Sequence, residues 1–123
     1  MIVGIVGSRR RNEQSDKDLI EKELVKILDE TKDVIICSGG CPKCGDKFAE
    51  QLALKYRLTK KIYSADWNKH GRIAGFLRNS TIAETSDILI ATPSKDRTGG
   101  TEDTIKKFKK SHPLTWEKDL ILV

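Results

Sequence analysis

Three short apolar runs, each stopped by glycine or proline, constrain this chain more than any other feature of its sequence. Ile2-Val3-Gly4-Ile5-Val6 ends at Gly7-Ser8, Asp33-Val34-Ile35-Ile36-Cys37 ends at Ser38-Gly39-Gly40, and Asp87-Ile88-Leu89-Ile90-Ala91 runs into Thr92-Pro93. A strand that is apolar at nearly every position is buried on both faces, as in a parallel sheet covered by helices. Pro93 has no N–H to give to a sheet ladder and prevents regular continuation of its strand. Lys61-Ile62-Tyr63 and Leu120-Ile121-Leu122-Val123 offer two further, shorter strands. The stretches between carry helical spacing. Residues 16–30 have Leu19, Ile20, Leu24, Ile27 and Leu28 on one stripe, with Ser15 or Asp16 as the cap. Residues 45–57 set Phe48, Leu52, Ala53 and Tyr56 on one side, and residues 72–85 do the same with Ile73, Ala74, Leu77 and Ile82. A last helix is expected over 101–110. Strands that alternate with helices pair in parallel through right-handed crossovers. The expected fold is α/β, a Rossmann-like three-layer domain with a mainly parallel sheet of about five strands.

A length of 123 residues suits one domain spanning 1–123, and no repeat, linker or low-complexity segment interrupts it. With 37% hydrophobic and 33% charged residues the chain has the balance of a globular protein rather than a disordered one. No apolar stretch approaches the roughly 20 residues needed to span a bilayer. The opening segment has its apolar run before its basic residues, the reverse of a signal peptide, so a cytoplasmic location without a membrane partner is expected. Cys37, Cys41 and Cys44 are the only cysteines, and an odd count with no export signal reads as reduced thiols rather than disulfides. A tetrahedral zinc site needs a fourth ligand, and His70 and His112 are distant in sequence; a ligand from a partner chain is the alternative. Neither metal nor cofactor is expected. Lysine and arginine total 23 against 18 acids, a formal charge of +5. Arg9-Arg10-Arg11 and Lys106-Lys107 with Lys109-Lys110 supply much of the excess, either as phosphate-attracting clusters or as a solvated lysine face.

In doubly wound sheets, ligands bind beyond the carboxyl ends of the strands, where strand order reverses. The unusual residues of this chain fall at those ends. Gly7-Ser8-Arg9 follows the first strand, Ser38-Gly39-Gly40 and then Asp46 follow the second, and Gly99-Gly100-Thr101 opens the last helix. Glycine lets backbone amides come close to a phosphate, and a helix N-terminus supplies free N–H groups with partial positive charge. Ser8, Ser38 and Thr101 add hydroxyl donors, and Arg9 a fixed cation. A single Gly-Gly turn often only caps a strand, but three glycine-bearing loops at one sheet edge point to an anionic ligand. The dinucleotide fingerprint and the P-loop are both absent, which argues against a nicotinamide dehydrogenase and a standard NTPase.

Five pieces in order then resemble the SLOG superfamily, in particular its small YspA-related members. Gly4-Ile5-Val6-Gly7-Ser8-Arg9 is similar to the first-strand motif, and Ser38-Gly39-Gly40 with Gly45-Asp46-Lys47-Phe48-Ala49 to the second. Ala65-Asp66-Trp67, Gly71, Ala74-Gly75 and Leu77-Arg78-Asn79 resemble the central segment. Ser86-Asp87 and Ile90-Ala91 precede Gly99-Gly100-Thr101, which resembles the glycine-rich phosphate loop. The resemblance runs over residues 2–110. Relatives in the superfamily include the Lonely Guy phosphoribohydrolases and DNA-processing protein A.

In the phosphoribohydrolases, the resemblance assigns the chemistry to the arginine matching Arg78 and to a glutamate three residues beyond the Gly-Thr pair. Thr104 stands at that glutamate position, with Glu102 and Asp103 beside it. A shift of one or two residues turns a helical side chain by about 100–200°. The glycine loop is also stretched, from Pro93 to Thr101, and Cys41–Cys44 occupies the turn between the second-motif glycines. The leading expectation is a sensor-type domain that binds a nucleotide or nucleotide-derived phosphate through Gly7, Ser8, Arg9, Ser38, Gly39, Gly40, Asp46, Arg78, Asn79, Gly99, Gly100 and Thr101. The alternative is a nucleoside-monophosphate phosphoribohydrolase or related hydrolase using Arg78 with Glu102 or Asp103. Single-stranded nucleic-acid binding ranks third, because 6% aromatics leave little for base stacking. Asp46 is either a helix N-terminal acid or a hydrogen-bond acceptor for a ribose or the first loop, and Trp67 is either core packing or a base platform. Arg10 and Arg11 read as surface residues. The resemblance also implies a homo-oligomer.

Overall fold

A computed structural model of the chain describes residues 1–40 and 45–123. Cys41, Pro42, Lys43 and Cys44 lie outside the described residues, and so does the expectation of reduced thiols at Cys41 and Cys44. Five strands form one sheet: β1 (Ile2–Gly7), β2 (Ile35–Ser38), β3 (Thr59–Ile62), β4 (Ile88–Thr92) and β5 (Leu120–Leu122). Their order is β3-β2-β1-β4-β5, and every adjacent pair is parallel. The helices are α1 (Gln14–Glu30), α2 (Gly45–Lys55), α3 (Trp67–His70), α4 (Ala74–Thr85), α5 (Gly100–Ser111) and α6 (Trp116–Asp119).

The apolar runs divide between the two faces as strand geometry demands, since successive side chains point to opposite sides. Val3, Ile5, Ile36 and Ile90 pack with Ile20 and Leu24 of α1 and with Phe48 and Leu52 of α2. Val6, Cys37, Leu89 and Ala91 pack on the other face with Ile82 and Ala83 of α4 and with Ile105 and Phe108 of α5. These are the three layers of a Rossmann-like α/β domain. From β1 the chain winds outward through β2 to β3, then returns to β4 on the far side of β1, so the switch in strand order lies between β1 and β4.

The structure corrects several local expectations. Helix α1 begins two residues earlier than the apolar stripe suggests, and neither Ser15 nor Asp16 is its cap. Glu13 occupies that position, and the Asp16 carboxylate reaches back to accept from the Glu13 N–H at 3.1 Å. Strand β2 starts at Ile35 and β3 at Thr59, with Tyr63 just outside it. The helix expected over 72–85 begins at Ala74. Gly71, with φ 59°, ends α3 and opens a 3₁₀ turn over Gly71–Ile73 that leads into α4. Ile73 and Leu77, expected on the buried stripe, are exposed. Ala74 and Ile82 are buried as expected, joined by Asn79 and Ala83, so that α4 packs on α5 through a face with two alanines and one polar side chain. The short helix α6 carries no periodic signal to predict it. Among the described residues, no helix is long and apolar enough to cross a membrane.

Candidate functional site

The carboxyl ends of β1 and β4 are tied together by the Ser8 N–H, which donates to the Thr92 carbonyl at 2.9 Å. The chain then turns sharply. Arg11 N–H donates to the Ser8 carbonyl at 3.0 Å and Arg10 N–H to Ser8 Oγ at 3.2 Å. With its oxygen accepting from the backbone, the Ser8 hydroxyl keeps its own hydrogen to donate. At the end of β2, Gly40 takes φ 75°, a conformation that favours glycine.

Arg78 of α4 crosses to this turn. Its Nη1 donates to the Gly39 carbonyl at 3.0 Å and its Nε to Asn79 Oδ1 at 3.0 Å. The remaining guanidinium N–H groups have no acceptor among the described residues and can donate to a ligand. Asn79 is itself held by α5, donating through Nδ2 to Asp103 Oδ2 at 3.0 Å and to the Gly100 carbonyl at 3.4 Å. A side-chain relay thus fixes Arg78 against the first turn of α5.

Gly99, with φ 95°, forms the N-cap of α5. The Asp103 N–H closes onto the Gly99 carbonyl at 3.2 Å, which leaves the amides before it without intrahelical acceptors. Thr104, buried at the position where the resemblance expects a glutamate, donates through Oγ1 to the Gly100 carbonyl at 3.1 Å. It stabilises the turn and brings no acid.

These segments surround one cleft of about 610 Å³ at the β1–β4 switch point. Of the residues expected from sequence, Gly7, Ser8 and Arg9 line it from the first loop, and Gly39, Gly40 and Asp46 from the second. Arg78 and Asn79 line it from α4, and Gly99, Gly100 and Thr101 from α5. Three expected residues, Ser38, Glu102 and Asp103, are not in the lining. Ser38 is fully buried, and its hydroxyl has no hydrogen-bond partner among the described residues. Glu102 faces away, gripped by Arg97, whose Nε reaches Oε2 at 2.8 Å and whose Nη2 reaches Oε1 at 2.6 Å. The Arg97 guanidinium holds the Glu102 carboxyl below the usual range. Asp103 is committed as well, accepting from Asn79 and from Lys107 Nζ at 2.7 Å. Asp46 is the one carboxylate lining the cleft among the described residues, against the guanidiniums of Arg9, Arg10 and Arg78.

Sequence reasoning missed Arg10, Ser64, Ser94 and Thr98, all of which line the cleft. Arg10 was expected at the surface, and its 68% exposed side chain is there, but at the cleft mouth. Ser94 and Thr98 lie in the stretched loop before Gly99, where only the polar run marked them. Trp67 lines the rim and is 60% exposed, so core packing is not its role.

The family model for the YspA, cpYpsA-related SLOG family matches residues 1–70. The chain belongs to that family. The match takes in β1, the first two glycine turns and Trp67, while Arg78 and the α5 loop of this SLOG domain lie beyond it. No curated protein and no solved structure matches the chain. Membership supports a nucleotide-related role at the coarse level.

Proposed function

We propose that this SLOG domain is a sensor-type binding module for a nucleotide or nucleotide-derived phosphate ligand. One observation carries the reading: the cleft is built from glycine turns, open helix amides and guanidiniums, while both acids of the first turn of α5 are occupied elsewhere. Amides at a helix N-terminus and a positioned arginine neutralise an oxyanion. The phosphoribohydrolase chemistry that the resemblance implies needs a carboxylate from the first turn of α5 within reach of the reacting atoms, and Asp46, which lines the cleft, comes from α2 instead. Glu102 is held by Arg97 and Asp103 by Lys107, which favours binding over the phosphoribohydrolase alternative.

The test has two arms. A thermal-shift panel of nucleotides, cyclic and linear dinucleotides and nucleotide sugars reports binding, and release of free base from nucleoside monophosphates reports turnover. A saturable shift by one ligand class, lost in Arg78→Ala, with no base released, is the expected outcome. Arg78-dependent base release would make the protein a hydrolase, and no shift with any ligand would remove the reading altogether.

We also propose, from the resemblance, that the chain self-associates. Ile73, Phe76 and Leu77 are all exposed and follow one another on a single helical face.

A further inference from the structure

One ion pair spans the mouth of the cleft, from Arg10 Nη1 on the loop after β1 to Asp96 Oδ2 on the loop after β4. Arg10 lines the cleft, whereas Asp96 stands outside the lining. The carboxylate is fixed from its own side. Its Oδ1 accepts from Ser94 Oγ at 2.6 Å and from Thr98 Oγ1 at 2.9 Å. The flanking chain is pinned too. Arg97, with φ 55°, forks onto Glu102, and Arg11 Nη1 donates to the Pro93 carbonyl at 3.1 Å. By contrast, the Arg10 side chain is long, exposed and held, among the described residues, by this carboxylate alone. Exposed ion pairs of this kind are weak and readily exchanged.

The pair therefore joins a rigid acceptor to a movable donor at the rim of an anion-attracting cleft. A guanidinium that already accepts an oxyanion there will accept another. A phosphate carries more charge than a carboxylate and offers three acceptor oxygens, so exchange runs in its favour. On the anion-binding reading, Arg9, Arg78 and the glycine turns are the groups for an inner oxyanion, which leaves Arg10 at the mouth for an outer one.

We propose that Asp96 is an internal stand-in for a ligand anion: Arg10, parked on it, transfers to the second phosphate of a diphosphate-bearing ligand whose first phosphate sits at the glycine turns. The inference rests on the anion-binding reading of the cleft and narrows its ligand class. Arg10 sets the preference for two phosphates over one, and Asp96 weakens that preference by competing.

Calorimetry with inorganic phosphate and pyrophosphate tests this on the wild type, Arg10→Gln and Asp96→Asn, with AMP and ADP as parallel arms. An exposed ion-pair contact made by only one of two probes separates their affinities by about two- to fivefold, so pyrophosphate should bind the wild type about that much more tightly. Arg10→Gln, which leaves the bonds of Asp96 to Ser94 and Thr98 in place, should bring the two probes to near equality. Asp96→Asn should widen the gap, because the competitor's charge is gone. An unchanged pyrophosphate advantage in Arg10→Gln overturns the proposal, as does equal weakening of both anions in Asp96→Asn or absence of pyrophosphate binding. Failure of AMP and ADP alone, with the Arg10-dependent pyrophosphate advantage intact, would remove the nucleotide reading and leave the exchange standing.

Discussion

Gly39 has no side chain because Arg78 fills the space one would take. A Cβ there would lie 2.6 Å from Arg78 Nη1 and 2.9 Å from its Cδ. The obstacle is the end of a flexible side chain, so the substitution displaces the arginine rather than the backbone. Gly39→Ala should therefore cost under about 1 kcal/mol of stability while weakening AMP binding by about tenfold. Chemical denaturation and calorimetry on the same variant separate the two effects; a large stability loss would mean that the turn itself had failed. Asp96 allows a second prediction at this scale. Hydrogen bonds from Ser94, Arg10 and Thr98 hold its carboxyl well below the usual range. A carboxyl depressed in the folded state stabilises the fold above its unfolded pKa and loses that contribution as pH falls toward the folded one. The stability difference between wild type and Asp96→Asn should thus be constant near neutrality and shrink below about pH 4. Urea melts across that range check it, and a difference that grew on acidification would contradict the assignment. Much of this site was legible because glycine, arginine and hydroxyl residues at strand ends have a direct electrostatic meaning. Arg10 was not, since whether a charged loop residue faces a cleft or bulk water depends on the turn that Ser8 makes with the Arg10 and Arg11 amides.

At the scale of elements, the contact of α4 with the sheet depends on Gly4. A Cβ at Gly4 would lie 2.9 Å from Leu89 Cδ1 and drive into Ser86 Oγ. Neither neighbour has room to yield. Ser86 is buried, its hydroxyl donates to the Ile82 carbonyl at 2.7 Å, and it lies 3.1 Å from Cys37 Sγ. Overpacking of this kind typically costs about 1–3 kcal/mol, so Gly4→Ala should lower the unfolding free energy by that amount, unlike Gly39→Ala. Denaturant midpoints of the two alanine variants, measured side by side, make the comparison; equal losses would refute this account of Gly4. The same packing explains which elements the sequence revealed. Strands β1, β2 and β4 lie inside the sheet and are apolar on both faces, so composition alone exposed them. Strand β3 is an edge with Thr59, Lys60 and Lys61 exposed, and its signal was correspondingly weak. The boundary of α4 was misread because the 3.6-residue pattern through Ile73 and Leu77 marks a real helical face, but one turned to solvent. Periodicity reports a stripe and cannot say what covers it.

That uncovered stripe is a property of the whole molecule. Ile73, Phe76 and Leu77 are spaced as one helical face, and Trp67 stands 3.3 Å from the space a Cβ on Gly75 would occupy. Lys107 reaches over Phe76, its Nζ 5.3 Å from the ring centroid, and donates to the Phe76 carbonyl at 2.8 Å. A lysine stem shields part of an aromatic ring but leaves its neighbours bare. Soluble monomers seldom keep a contiguous apolar patch of this sort without a use for it. A second copy pairing through the same face meets the symmetry that a self-complementary interface needs. Sedimentation at micromolar concentration should accordingly find a dimer. Phe76→Lys should dissociate it, because a second ammonium beside Lys107 leaves buried charge unpaired across the interface. The same variant should keep its monomer fold by circular dichroism, as Phe76 is outside both core clusters. A wild type that sediments as a monomer at every concentration would overturn self-association through this face.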